Sequence, residues 1–164
     1  MTVLVVYGSK RGGKQGLAES IGAALRDLGH EVRVEPAGRL TSAEGLEGAI
    51  VAGGLYANRW HKDVRRFVAR NRAVLRTLPV WLVASGPLDE SADAGTTPVV
   101  PQVKEAADAV GARGEVTFGG YLAVDATGFP ASAMAKKLAG DWRNPERIRA
   151  WVAEVHEELT GAAR

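Results

Sequence analysis

The sequence contains no cysteine, and only 6% of its 164 residues are aromatic. The lack of cysteine excludes disulfide bridges, thiolate nucleophiles and cysteine-ligated metals, and it is compatible with a reducing compartment. Apolar residues make up 46% of the chain and charged residues 24%, which is typical of a globular domain rather than a disordered segment. The length predicts one domain over residues 1–164.

Long hydrophobic runs are also lacking. No run approaches the ~20 apolar residues that cross a bilayer, and the first apolar run, residues 3–7, follows only Met1 and Thr2. A secretory signal would have a basic start and a longer apolar stretch. We therefore expect a cytoplasmic protein without stable membrane insertion.

A large excess of one sign of charge is also lacking, since 21 basic and 19 acidic residues give a formal net charge of only +2. The main basic excess falls in residues 59–76, on one predicted helix, and is interpreted as a solvated helix face. No nucleic-acid partner is predicted. A one-electron carrier is often strongly acidic so that it can dock basic partners, and this chain is not acidic.

Strand and helix patterns alternate along the whole sequence, which predicts a parallel sheet with helices on both faces. The segment 39–48 is too polar and glycine-rich to predict a helix there. Strands are predicted at 3–7, 31–35, 49–53, 80–84 and 115–124. Helices are predicted at 15–28, 61–75, 99–110 and 145–159.

The most informative segment lies between the first strand and the first helix. Open α/β sheets bind ligands at this position, and the free N–H groups of a helix N-terminus suit a phosphate. The spacing matches neither the G-x-G-x-x-G nor the Walker A pattern, which counts against NAD and ATP as ligands. A generic glycine-rich turn with solvated cations remains the alternative to a phosphate site. The predicted phosphate-binding residues are Ser9, Lys10, Arg11, Gly12, Gly13 and Lys14.

Four stretches of the sequence carry a family resemblance. They read VVYGSKRG at 5–12, GGLYANRW at 53–60, VWLVASGPL at 80–88 and FGGYL at 118–122. With them the whole chain resembles the flavodoxin-like proteins, nearest the branch of the menaquinone-dependent protoporphyrinogen oxidases. The resemblance implies a single three-layer α/β domain whose five-stranded parallel sheet has the order 2-1-3-4-5, with FMN as cofactor.

The phosphate loop departs from the family pattern. Flavodoxins usually place hydroxyl side chains at three positions of this loop, and here only Ser9 keeps one. Arg11 and Lys14 stand at the other two positions. Two neutral donors are thus replaced by two cations, which can also bind a phosphate.

The resemblance further implies that the loops after strands three and four clasp the isoalloxazine ring. An aromatic side chain such as Tyr56 or Trp60 can stack on a flavin, although packing inside the protein is the alternative. The candidate ring contacts are Leu55, Tyr56, Ala57, Asn58 and Trp60 after strand three, and Ser85, Gly86, Pro87 and Leu88 after strand four.

The histidines are interpreted mainly as solvated residues. A solvated first helical turn is favoured for His61, Lys62 and Asp63, and a proton relay near the flavin is the alternative. His30 and His156 are expected at the surface. No metal-ligand spacing is recognisable, so no metal is predicted, and no catalytic acid or base is assigned.

Three functions remain open at this level. The first is an FMN-dependent oxidoreductase with a small-molecule substrate, of which a protoporphyrinogen oxidase-like enzyme is one form. The second is an electron carrier that serves a redox partner protein. The third is a flavin-free binding domain on the same fold. The stretch 125–141 is short and has too few apolar residues for membrane attachment. The protoporphyrinogen oxidases have a longer segment there, so the hypothesis of such an enzyme is weakened.

Overall fold

The computed structural model describes residues 2–8, 13–37, 45–56, 59–86, 100–118, 121–122, 140–141 and 144–162. The strands are β1 (Thr2–Gly8), β2 (Glu31–Pro36), β3 (Leu46–Tyr56), β4 (Arg59–Trp60), β5 (Val80–Ser85), β6 (Gly114–Phe118), β7 (Tyr121–Leu122) and β8 (Gly140–Asp141). The helices are α1 (Gly13–Asp27), α2 (Lys62–Arg70), α3 (Arg72–Leu75), α4 (Pro101–Val110) and α5 (Pro145–Ala162).

Within the described residues, five strands form a parallel sheet in the order β2-β1-β3-β5-β6. The central strands are apolar on both faces, as expected where helices cover both sides. Counting only these five strands, the order is 2-1-3-4-5, so the predicted topology is confirmed. The short strand β4 pairs antiparallel with the end of β3.

Two layers of helices cover the sheet, each with its own apolar core. Helices α1 and α5 pack on one face through side chains such as Ile21 and Val152. Helices α2, α3 and α4 pack on the other face through side chains such as Phe67 and Val103. The predicted three-layer α/β architecture is therefore confirmed.

The predicted fifth strand, 115–124, is wrong in its second half. Strand β6 ends at Phe118, and Tyr121–Leu122 instead pairs antiparallel with Gly140–Asp141 in a separate two-stranded sheet. The intervening sequence is Gly119-Gly120, and glycines weaken a continuous strand.

The predicted helix 61–75 is two helices, because Asn71 interrupts it. The Asn71 side chain is buried, and its amide donates a hydrogen bond to the carbonyl of Phe67 at 3.0 Å. Such local bonds from asparagine compete with the regular helix pattern. The helix predicted at 99–110 starts at Pro101 and ends at Val110, and it is capped by Gly111, whose φ of 63° suits a glycine.

Candidate functional site

Three parallel strands end side by side at one edge of the sheet. Gly8 at the end of β1 is in register with Gly53 of β3, and Gly54 is in register with Ser85 at the end of β5. The segments that follow β1, β3 and β5 therefore all start at this edge. Together with the last residues of β3 and β5, they contain every residue predicted to bind the cofactor.

The edge includes the point where the strand order reverses. The chain leaves β1 toward β2 on one side, whereas β3 lies on the other side of β1. Ligands of open α/β sheets bind in the crevice at such a reversal. The crevice here lies between the ends of β1 and β3.

Helix α1 begins at this crevice. Its first residue is Gly13, and its first turn contains no acidic side chain. The first N–H groups of a helix have no partner within the helix, and they carry a partial positive charge. Since no carboxylate of the first turn offsets that charge, the start of α1 is suited to an anion.

The chemistry of the predicted donors fits a phosphate group. A serine hydroxyl, three cations and the backbone amides of a glycine-rich loop are all donors, as a dianion requires. Residues 9–12 lie outside the described residues, and for Gly13 and Lys14 the structure describes the backbone. The predicted loop precedes the start of α1, and its binding of a phosphate stays a prediction.

The structure corrects the interpretation of Trp60 as a ring contact. The side chain is 1% exposed and belongs to the core on the α2 side of the sheet. Its indole N–H donates a hydrogen bond to the carbonyl of Val83 at 3.2 Å. A fully buried ring has no free face for a flavin, so Trp60 supports the fold beneath the site.

The remaining predicted ring contacts lie along the ends of β3 and β5. Leu55 packs against the core cluster and crowds Gly86, where an added Cβ would lie 2.7 Å from the Leu55 Cβ. Ser85 is buried and has a bonded partner. These contacts hold the ends of β3 and β5 together. Tyr56 ends β3, and Ala57, Asn58, Pro87 and Leu88 lie outside the described residues.

His61 is a residue of this region that sequence reasoning missed. It was expected in solvent, yet it is 4% exposed. Its Nδ1 caps α2 by accepting a hydrogen bond from the backbone N–H of Asp63 at 3.1 Å. An added Cβ on Gly8 would lie 2.9 Å from the same atom. His61 therefore braces the last residue before the phosphate loop, and histidine is too uncommon a cap to be recognised from sequence.

His30 and His156, which were predicted at the surface, are half-buried and contact each other. Their rings meet edge to face, and His30 Nε2 lies 2.8 Å from His156 Nδ1. His30 Nδ1 lies 3.2 Å from a carboxylate oxygen of Glu47. This cluster lies at the opposite edge of the sheet from the candidate site, because Glu47 is near the start of β3.

Metal-binding clusters and membrane-spanning helices are both absent from the described part of the chain. No group of three or more histidine, aspartate, glutamate or cysteine side chains there could hold a metal ion. No helix in the described part of the chain is long and apolar enough to span a bilayer.

Comparisons with known proteins agree with this architecture. The family model described as "Flavodoxin domain" matches residues 4–139, which is most of the chain. The chain therefore belongs to the flavodoxin-domain family. FMN, the cofactor predicted from the resemblance, is the cofactor of this family. The protoporphyrinogen oxidase-like branch is not distinguished by this match.

Solved structures show the same fold at low sequence identity. A flavodoxin from Streptococcus pneumoniae TIGR4 is 19% identical, with a TM-score of 0.62 over 96% of this chain and 99% of that one. Oxidised flavodoxin 2 from Bacillus cereus is 16% identical, with a TM-score of 0.63 over 96% and 99%.

A larger redox protein contains a similar unit. In rubredoxin oxygen:oxidoreductase from Desulfovibrio gigas, 36% of the chain matches 91% of this one, at 12% identity and a TM-score of 0.56. No curated protein sequence matches the chain.

Proposed function

We propose that this protein binds FMN at the carboxyl edge of its sheet and transfers electrons between the flavin and a redox partner. The observation that carries the proposal is the start of α1 at the strand-order reversal, with no acidic side chain in its first turn. Family membership supplies the identity of the cofactor. Bound FMN would supply the redox chemistry, and the protein would position it.

The phosphate grip is assigned to the loop after β1. The hydroxyl of Ser9, the cations of Lys10, Arg11 and Lys14, and the backbone N–H groups of Gly12 and Gly13 are the proposed donors. Charge-assisted hydrogen bonds of this kind are about twice as strong as neutral ones. Arg11 and Lys14 stand where flavodoxins usually have hydroxyl side chains. Their two positive charges favour a dianionic phosphate over a neutral group.

The ring clasp is assigned to the ends of β3 and β5. Tyr56 is the proposed stacking residue, and Leu55, Ala57 and Asn58 would border the ring beside it. Polar backbone groups of the segment 85–88 would face the opposite edge of the ring. The packing of Leu55 against Gly86 brings these two segments together.

Flavin titration of the double variant Ser9→Ala/Arg11→Ala tests the phosphate grip. We expect its FMN dissociation constant to rise at least about tenfold, since each lost charge-assisted bond is worth on the order of 1.5–3 kcal/mol. Riboflavin has no phosphate, so its weaker binding should be unchanged. Quenching of flavin fluorescence measures both ligands.

The matched control is Ser20→Ala/Arg149→Ala, which removes the same side-chain types from exposed positions of α1 and α5. It should bind FMN as the unaltered protein does. Equal FMN affinity in both double variants would refute the phosphate-loop assignment. Loss of riboflavin binding together with FMN binding would indicate damage to the fold.

A protoporphyrinogen oxidase-like activity is the finer alternative. Its support is the resemblance of residues 5–12, 53–60, 80–88 and 118–122 to that branch. Oxidation of protoporphyrinogen to protoporphyrin by the FMN-loaded protein, followed by porphyrin fluorescence, separates this enzyme from a carrier that acts only on protein partners.

A further inference from the structure

The segment from β4 to the end of α3 carries a concentrated positive charge on its outer side. All seven of its basic side chains are exposed, whereas the apolar side chains Val64, Phe67 and Val68 of α2 are buried. On α2 the cations and the buried residues therefore occupy opposite sides of the helix. We call this surface the basic face; it consists of Arg59, Lys62, Arg65, Arg66, Arg70, Arg72 and Arg76.

The small net charge of the protein conceals this asymmetry. Residues 59–76 hold seven of the 21 basic residues and one of the 19 acidic residues, a net charge of +6 in 18 positions. The rest of the chain therefore has a net charge of −4, since the whole chain has +2. An oppositely charged macromolecule would be oriented by such a distribution before contact.

No ion pair between side chains in the described part of the chain includes a cation of the basic face. The ion pairs there involve His30, Arg33 and His61 instead. Two of its spacings on α2, Lys62 with Arg66 and Arg66 with Arg70, place like charges four residues apart. Such pairs destabilise a helix by about 0.2–0.5 kcal/mol each. Helix stability therefore does not explain this arrangement.

The basic face starts at the candidate cofactor site. Arg59 pairs with Tyr56 at the end of β3, so its backbone lies beside the proposed ring-binding segment. Lys62 opens α2, and the residue before it, His61, contacts the last residue of β1. A macromolecule seated on the basic face would thus lie next to the crevice between β1 and β3.

We propose that the basic face is the docking surface for the acidic face of a redox partner protein. The inference rests on the proposed electron-transfer function, because it names the class of partner that reaches the same site. Complementary charge would speed encounter and orient the partner with its redox centre toward the carboxyl edge of the sheet.

A protein partner fits this surface better than a nucleic acid or a membrane. Single-stranded nucleic acids need exposed aromatic rings for stacking, and membrane surfaces need exposed apolar side chains. Among the described residues, the one exposed large hydrophobic side chain is Leu28, which follows α1 on the other side of the sheet. The net negative charge of the rest of the chain would also repel an extended polyanion.

Association with a defined redox protein tests the proposal. The probes are an acidic [2Fe–2S] ferredoxin and a basic c-type cytochrome, each immobilised while the FMN-loaded protein flows over it. We expect the association rate constant with the ferredoxin to fall at least about tenfold as ionic strength rises from about 0.01 M to about 0.1 M, over which the screening length shortens from ~30 Å to ~10 Å. The cytochrome should show no such fall.

Two double variants make the test specific for the surface. Arg65→Glu/Arg70→Glu reverses two exposed cations of the basic face, and Arg113→Glu/Arg149→Glu makes the same change in net charge at exposed positions near β6 and on α5. The first variant should lose at least about tenfold in association rate at low salt, whereas the second should lose less than about threefold. Equal losses would overturn the proposal, because they would show an effect of net charge alone.

FMN titration of the same variants separates this inference from the proposed function. If all of them bind FMN but the ferredoxin shows no dependence on salt or on the basic face, the docking surface is wrong and the cofactor site stands. If neither the unaltered protein nor any variant binds FMN, the proposed function fails. Tighter binding to duplex DNA or to vesicles of anionic lipid than to the ferredoxin would overturn the choice of a protein partner.

Discussion

Close packing at individual glycines decides the shape of the carboxyl edge. An added Cβ at Gly53 would lie 2.5 Å from Trp60 Nε1 and 2.6 Å from Val64 Cγ2. The strand predicted at 49–53 ends at Gly53, but β3 continues to Tyr56. Gly53 is a strand residue on which Trp60 and Val64 pack, and that role depends on β4 folding back.

Gly53→Ala tests this packing. We expect the variant to lose about 1–3 kcal/mol in free energy of unfolding, because both neighbours must move to admit the methyl group. Gly161→Ala is the matched control, since nothing lies within 4 Å of its added Cβ. The control should be equally stable or more stable by up to about 1 kcal/mol. Urea unfolding measures both, and equal stability of the two variants would contradict the packing.

The fate of Trp60 and His61 shows why sequence reasoning failed at single residues. The local sequence around an aromatic residue after a strand is the same whether its ring faces a ligand or packs inside the protein. The difference arises from β4, which pairs with β3 through Leu55 and Trp60 and turns the indole toward Val83. The burial of His61 has the same cause, because it follows β4 directly.

At the scale of the element, hydrophobic periodicity predicted the sheet and most helices correctly. Continuous apolar runs identified β1, β3 and β5, since strands buried on both faces have no polar side. Errors arose where a local interaction overrides the pattern. Asn71 divides the helix predicted at 61–75 through its bond to Phe67, and the strand predicted at 115–124 ends at Phe118.

Helix α2 is strongly amphipathic and carries like charges along its exposed side. A charge reversal there should therefore raise stability and slow association with an acidic partner. Arg66→Glu would place opposite instead of like charges four residues from Lys62 and from Arg70. It would also place a like charge three residues from Asp63. We expect the variant to gain about 0.5 kcal/mol in free energy of unfolding, because two favourable pairs outweigh one unfavourable pair, while its association with the acidic ferredoxin slows. Thermal and urea unfolding measure the gain.

Arg66→Gln is the control for that charge reversal, since it removes the repulsion without adding attraction. Its gain in stability should be about half as large. A loss of stability in Arg66→Glu would show that Arg66 stabilises the fold, and the case for a docking role of α2 would then weaken.

At the scale of the whole molecule, distant segments are joined by contacts that no local pattern indicates. His30 follows α1 and His156 lies in α5, yet their ring nitrogens are 2.8 Å apart, with Glu47 at the start of β3 beside them. The cluster ties the last helix to the first helix and the sheet. It lies away from the candidate cofactor site, so its role is structural.

A double-mutant cycle tests the histidine contact. His30→Ala and His156→Ala should each cost about 1–2 kcal/mol in free energy of unfolding, because each leaves a partly buried partner without its hydrogen bond. The double variant should cost less than the sum by about 0.5–1.5 kcal/mol, the coupling expected for side chains in contact. Additive costs would show that the two rings do not interact in solution. FMN affinity should stay unchanged in all three variants.

The sequence by itself determined the fold class and placed a glycine-rich loop between the first strand and the first helix, whereas the strand order came from the family resemblance. The fold class depends on the period of apolar residues and the loop on where glycine follows a strand, and both are local. The tertiary structure alone decided that Trp60 and His61 are buried beneath the site and that the basic segment 59–76 starts beside it. These outcomes depend on which surfaces the chain brings together, and a linear pattern does not contain that information.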